Sequence, residues 1–134
     1  MNVVFDTNVL LAAFLTDGVC AKLLRRANRR SFDLFLCPVI LLEFERVLLR
    51  KFKATRAEAA QAAALLMEAA QSLITHEEVL ARTSRDHDDD AILACARAAR
   101  ADYLVTGDAD LLELGKFGKI KIISPADFER MIVD

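Results

Sequence analysis

An α/β fold with a mainly parallel sheet and covering helices is what this chain predicts, and three observations carry the prediction. Short apolar, β-prone runs alternate along the chain with longer segments whose apolar residues recur at helical spacing. Acidic residues stand where strands end, at Asp6 and Asp108, and ligands of parallel α/β sheets bind at that edge. With 134 residues, 54% of them hydrophobic, the chain can fill one compact core but not two, and no linker, repeat or low-complexity stretch divides it.

Taken in order, Asn2 to Phe5 is an apolar run ended by Asp6, and the segment after Asn8 reads as a helix, which places Asp6 at a strand-to-helix junction. N-capping explains Asp, Thr or Asn there, but Asp6, Thr7 and Asn8 in a row exceed what one cap needs. After Gly18 an amphipathic helix follows. Val19, Leu23, Leu24 and Ala27 form its apolar side, and Arg25, Arg26, Arg29 and Arg30 read first as a solvated face. Phe32 to Leu36 is the second strand, and Pro38 suits the first turn of the next helix. The apolar arc of that helix centres on Ile40, Leu41, Phe44 and Leu48, with Glu43 at its edge beside Arg46 and Arg50. On spacing alone an exposed ion pair with either arginine accounts for Glu43, and spacing does not separate it from Glu45.

Thr55 and Glu58 form a capping-box pattern ahead of an Ala-rich helix expected to run to about Ser72. Leu73 to His76 is a candidate third strand. Asp88, Asp89 and Asp90 open a helix in which Ile92, Leu93, Ala96 and Ala99 recur at helical spacing; the unpaired N–H groups and dipole of that end by themselves explain one or two of the three acids. Tyr103 to Val105 is a buried strand, broken by Gly107 just before Asp108 and Asp110. Asp90 and Asp108 meet at one sheet edge provided that a strand ends near Asp86. Leu111 to Leu114 gives a short helical turn, Gly115 to Lys119 a loop and Ile120 to Ile123 the last strand. Ser124 and Pro125 then start a helix that ends near Val133.

The net charge of −2 argues against a strongly basic nucleic-acid binder but conceals a split. Lys22 to Arg56 holds ten Lys or Arg against three acids, whereas Glu77 to Glu113 holds ten acids against four Arg. Cys20, Cys37 and Cys95 are odd in number and widely spaced, which indicates neither a disulfide framework nor a zinc site; they read as small buried hydrophobes. The two histidines, His76 and His87, lack metal-ligand spacing. No basic segment leads into an apolar one at the N-terminus and no apolar run is long enough to span a bilayer, so no membrane role is expected and a cytoplasmic location is the default.

The segments FDTNVLLAAF, SFDLFLCPVILLEFERVLLRKF and RDHDDDAILACARAARADYLVTGDADLLELGKFGKIKIISPADF together resemble the PIN domain family, in particular the bacterial VapC-like ribonucleases that act as toxins of toxin and antitoxin pairs. The resemblance covers nearly the whole chain and implies a single nuclease domain over residues 1–134, a three-layer α/β/α architecture and a site of four carboxylates. The acid after the first strand matches Asp6, the acid on the helix after the second strand matches Glu43, that of DDDAIL matches Asp90 and that of TGD matches Asp108. Thr7, Asn8 and Thr106 match the family's small polar positions, and Asp110 matches a supporting acid. Cys37 stands where relatives often have Ser. The resemblance, not spacing, selects Glu43 over Glu45 and Asp90 over Asp88 or Asp89. It further implies an RNA substrate, an antitoxin covering the site, and a homodimer, for which Leu65, Leu66 and Met67 or the first helices offer apolar surface.

Elementary chemistry agrees with that site. Four gathered carboxylates repel one another at neutral pH unless cations neutralise them. Hard oxygen ligands without a His or Cys cluster select Mg²⁺ or Mn²⁺ over softer metals. No GxxxxGK[ST] loop, GxGxxG motif or Ser/His/Asp arrangement points elsewhere. Two other classes compete with an endoribonuclease: an RNA-binding or interaction module on the same fold with little turnover, and a phosphate-accepting receiver. The latter needs a late lysine, for which Lys116, Lys119 and Lys121 give no clear match.

Overall fold

The computed structural model describes residues 1–74 and 88–132, with Asp88 and Asp89 described in their backbone alone. The strand end expected near Asp86, together with Thr75, His76, Arg85 and His87, lies outside the described residues. The elements in order are β1 (Asn2–Phe5), α1 (Thr7–Leu15), α2 (Val19–Asn28), β2 (Asp33–Leu36), α3 (Pro38–Arg50), α4 (Arg56–Ala69), β3 (Ser72–Leu73), α5 (Asp88–Ala98), β4 (Tyr103–Val105), α6 (Ala109–Leu114), β5 (Lys116–Phe117), β6 (Ile120–Ile123) and α7 (Pro125–Met131).

The strands form one sheet in the order β3-β2-β1-β4-β6-β5, parallel except for β5. β1 lies in the middle, with Val4 opposite both Phe35 of β2 and Leu104 of β4. Val3, Val4 and Phe5 are fully buried, which is why this strand reads as a continuous apolar run rather than an alternating one. From β1 the chain first builds outward through β2 and β3, then returns to the other side of β1 with β4 and β6. The strand order therefore reverses between β1 and β4, and helices flank the sheet in a three-layer α/β/α arrangement.

Aromatic rings fill the core against β1. Phe128 of α7 meets Phe32 at 5.3 Å, Tyr103 at 5.7 Å and Phe5 at 6.5 Å between centroids, in tilted or edge-on contacts that rings of opposed quadrupole favour. A second contact, Phe14 on Phe44 at 5.5 Å, joins α1 to α3. Cys20, Cys37 and Cys95 are free and buried, as small hydrophobes should be, and Cys37 and Cys95 lie side by side although 58 positions separate them. Among the described residues no single helix is long and apolar enough to cross a membrane.

Three expectations are corrected. The Ala-rich helix stops at Ala69 rather than Ser72, because the Gln71 and Ile74 N–H groups donate to the Leu34 and Leu36 carbonyls at 2.7 and 2.6 Å and draw the chain into the sheet as β3. The segment read as a loop from Gly115 to Lys119 contains β5, which pairs antiparallel with β6 through Lys116↔Lys121 and Phe117↔Ile120; Gly118, at φ 62, makes the turn. Leu66, offered as dimer surface, is fully buried in the core, and only its neighbours Leu65 and Met67 are exposed.

Two arginines of this region are committed to structure, Arg26 on α2 and Arg30 just past its end. Arg26 donates to the Ile132 carbonyl at 2.6 Å, at the end of α7. Arg30 donates to Ala69 and Glu68 carbonyls at 2.8 and 3.2 Å, at the end of α4. Both satisfy carbonyls that a helix terminus leaves without partners.

Candidate active site

The carboxyl ends of β1, β4 and β6 are fastened together before any side chain is considered. The Asp6 N–H donates to the Val105 carbonyl at 2.9 Å, and the Thr106 N–H to the Ile123 carbonyl at 3.0 Å. Asp6 caps α1, its Oδ1 accepting from the Thr7 N–H at 2.7 Å. Its Oδ2 accepts from the Thr106 hydroxyl, also at 2.7 Å. Thr106 is fully buried, and its oxygen in turn accepts from the Asp108 N–H at 3.0 Å. One hydroxyl thus aims the first acid and fixes the backbone of the fourth.

Asp108 caps α6, with Oδ1 accepting from Asp110 and Leu111 N–H groups at 2.8 and 3.4 Å. Among the described residues its Oδ2 accepts no hydrogen bond, so one oxygen is held and the other is available. Asn8 closes the same corner by accepting from the Gly107 N–H at 3.2 Å. The three polar residues after β1 therefore divide the work: Asp6 caps the helix, Thr7 supplies the capped N–H, and Asn8 ties α1 to the loop after β4.

Glu43 projects from α3 into the same cleft. This cleft, of about 260 Å³, is lined by Asp6, Asn8, Glu43 and Asp108 on its polar side, with Thr7 beside them. Leu11, Val39, Ile40, Val47 and Ile92 form its apolar wall, and Lys51 stands at the end of α3. Glu43 also pairs with Arg46 one turn along the helix. Spacing had left an ion pair and a site role as alternatives, and Glu43 does both: its carboxylate lines the cleft while an exposed guanidinium neutralises it. Glu45 does not line the cleft.

Asp90 and Asp110 are placed differently. Both are exposed, and neither lines the cleft; Asp90 precedes the lining residue Ile92 by two positions, and Asp110 contributes its backbone N–H to Asp108. Asp6, Glu43 and Asp108 are brought to one cleft, with Thr106 beneath them and Asp90 outside the lining. Among the described residues no three His, Cys, Asp or Glu side chains are drawn tightly enough together to enclose one ion. The donor set nonetheless fits a hard divalent cation: it is all oxygen, one Asp108 oxygen is available, and Glu43 needs only to exchange Arg46 for the ion.

Sequence reasoning held Lys51 only as one member of the basic run from Lys22 to Arg56 and did not single it out, nor did it assemble the apolar wall. The available signal was the stripe Glu43, Val47, Lys51, which recurs every four residues on one face of α3.

A family model described as PIN domain matches residues 2–110, a stretch that includes Asp6, Glu43, Asp90 and Asp108. Among curated proteins none matches the chain significantly. PIN domains are generally nucleases that bind RNA and use Mg²⁺ or Mn²⁺. The match spans β1 through the start of α6, and its first and last parts meet at the strand reversal that holds Asp6 and Asp108: the chain belongs to the PIN domain family.

Proposed function

We propose that this protein is a metal-dependent endoribonuclease that hydrolyses RNA phosphodiester bonds, and that it serves as the toxin of a toxin and antitoxin pair. The observation that supports catalysis best is the convergence of Asp6, Glu43 and Asp108 on one cleft at the point where the strand order reverses. A binding module would gain nothing from three acids lining the cleft that receives a polyanion. A hydrolase that uses a divalent ion requires them.

In this reading Asp6, Glu43 and Asp108 would hold Mg²⁺ or Mn²⁺ from the cleft lining, Asp90 is added on the motif resemblance although it stands outside that lining, and Thr7, Asn8, Thr106 and Asp110 support them. When bound, such an ion supplies the electrophilic charge that phosphodiester hydrolysis needs. The chain's own residues prepare for it. Thr106 spends its hydroxyl proton on Asp6 and so fixes that carboxylate's rotation. The cap that Asp108 makes on α6 orients its second oxygen away from the helix. Arg46 pairs with the Glu43 carboxylate and neutralises it, which lowers the repulsion among the acids of the cleft.

The toxin assignment and the antitoxin partner rest on the motif resemblance. The homodimer is supported by exposed Leu65 and Met67 on α4. Incubation of the purified protein with RNA and Mg²⁺ or Mn²⁺, against an EDTA control, tests the activity. Metal-dependent cleavage by the wild type that Asp6→Asn and Asp108→Asn abolish is the expected result, and intact RNA under all conditions leaves the binding-module reading. Growth arrest on expression, relieved by the product of a neighbouring gene, tests the toxin role.

A further inference from the structure

Every lining residue of the cleft that carries charge is an acid except Lys51, and this cation has no ion pair among the described residues. Several other basic groups are engaged elsewhere. Arg25 lies 3.8 Å from Asp17, Arg26 and Arg30 satisfy helix carbonyls, Arg46 holds Glu43, and Arg97 sits 4.7 Å over the Phe117 ring. Lys51 is held at its place by the end of α3. Its N–H donates to the Val47 carbonyl at 2.9 Å, Lys53 turns the chain at φ 57, and the Ala54 N–H returns to the Leu48 carbonyl at 3.0 Å. A lysine at a helix C-terminus also gains from the dipole, which accounts for its presence in the last turn. The dipole does not account for its facing the cleft.

The position along the helix decides what Lys51 can touch. Eight residues separate it from Glu43, about 12 Å along the axis at 1.5 Å per residue. That is longer than the Debye length of roughly 8 Å at physiological salt, so an anion beside Lys51 feels little of the carboxylates' repulsion. The apolar wall of Val39, Ile40 and Val47 lies on the same helix between the two ends.

We propose that Lys51 is the anchor for a neighbouring phosphate: it binds the RNA backbone beside the scissile position, so that the intervening nucleotide lies along the apolar wall of α3 and the scissile phosphate falls on the carboxylates. This rests on the ribonuclease reading of the cleft. Lys51 sets the register of the substrate and takes no part in the bond-breaking step.

The test is binding and kinetics of Lys51→Gln, with Lys51→Arg as the conservative variant and Lys119→Gln, at the opposite edge of the sheet, as control. Affinity for a short single-stranded RNA is measured by fluorescence anisotropy in EDTA and again in Ca²⁺, across a salt series. Lys51→Gln is expected to weaken binding about tenfold and to lower the slope of log K against log salt by about 0.7, the value for one phosphate contact on a single strand. Lys51→Arg and Lys119→Gln keep the wild-type slope. In cleavage assays KM rises while kcat changes little, which a general loss of folding cannot imitate. An unchanged salt slope in Lys51→Gln overturns the anchor whether or not the wild type cleaves. A wild type that never cleaves but binds RNA through Lys51 overturns the ribonuclease reading and keeps the anchor, and a wild type with no RNA affinity overturns both.

Discussion

Replacing Thr106 by Val removes one oxygen from the most tightly connected point of the site and leaves the side-chain shape almost unchanged. The fully buried hydroxyl donates to Asp6 at 2.7 Å and accepts from the Asp108 N–H at 3.0 Å. A hydrogen bond to a charged group contributes about 1.5–3 kcal/mol, and an orphaned, partly buried N–H costs about 1–3 kcal/mol. The added methyl group offsets about 0.8 kcal/mol of this. The expected net loss is roughly 2–5 kcal/mol, which for a chain of this size lowers Tm by roughly 10–20 °C. Thr106→Ser keeps the hydroxyl, loses a buried methyl and should cost only about 1 kcal/mol. Calorimetry on the two variants separates the hydroxyl from the packing. Isothermal titration with Mn²⁺ provides the second readout: with Asp6 no longer oriented, Thr106→Val should bind the ion roughly 10–100-fold more weakly, the usual effect of removing an outer partner of a ligand. A Thr106→Val protein within about 0.5 kcal/mol of wild type that binds Mn²⁺ normally would refute the role assigned to this bridge.

Neutralising Glu43 or Asp108 with the matching amide should change metal-free stability by no more than ~1 kcal/mol per relieved charge, whereas Asp6→Asn also gives up the charged acceptor of Thr106 and should cost about 1 kcal/mol. Asn still caps α1 and α6, while cleavage falls by orders of magnitude; Asp33→Asn, at the opposite sheet edge, is the control for melts and assays alike. Arg46→Gln removes the competitor for Glu43. The exposed pair it breaks contributes at most about 1 kcal/mol, so Mn²⁺ titration should show binding tightened a few-fold with little change in Tm. Thr55→Ala should cost about 1 kcal/mol by opening the capping box of α4. The Thr55 backbone N–H holds the Glu58 carboxyl below its ordinary pKa, so that contact stabilises the fold above the unfolded-state pKa and is lost as pH falls through the folded one; Glu58→Gln should therefore flatten the acid limb of a Tm-against-pH profile. The hydrogen bond that the Cys95 thiol donates to Cys37, and then burial, push that thiol far up, so an aromatic disulfide reagent should label Cys37 and Cys95 only as fast as the protein unfolds, which timed absorbance readings will show.

The parts of the fold that the sequence announced are those governed by nearest neighbours. β1 and β4 showed themselves as β-prone runs ended by acids, Pro38 marked the start of α3, and Thr55 with Glu58 marked that of α4. What escaped depended on distant partners. Nothing within the alanine run says that Gln71 will bond to Leu34, and two residues of β5 are too few to show alternation. Leu65, Leu66 and Met67 are alike in hydropathy, yet the second is buried and its neighbours are exposed, because a helix rotates each residue by 100° and only the packing of α4 says which way. The site divides along the same line. Asp6 and Asp108 were legible because a strand end and a helix cap coincide at each. Glu43 needed the resemblance, since spacing described its bond to Arg46 just as well. Lys51 was not distinguished from the rest of the basic run because a lysine closing a helix is ordinary, and only its neighbours across the cleft make it otherwise.

Asp6 and Asp108 each open a helix as well as face the cleft, and this has a consequence for lineages in which the chemistry is abandoned. Replacement by Ala would cost about 1 kcal/mol of folding stability at either position, whereas Asn, Ser or Thr preserves the cap. Descendants freed from selection for cleavage should therefore not scatter at random at these two sites. They should accumulate the small capping residues, so that Asn or Ser at both positions, in a chain that keeps Thr106, would mark an inactive relative whose fold has outlived its reaction.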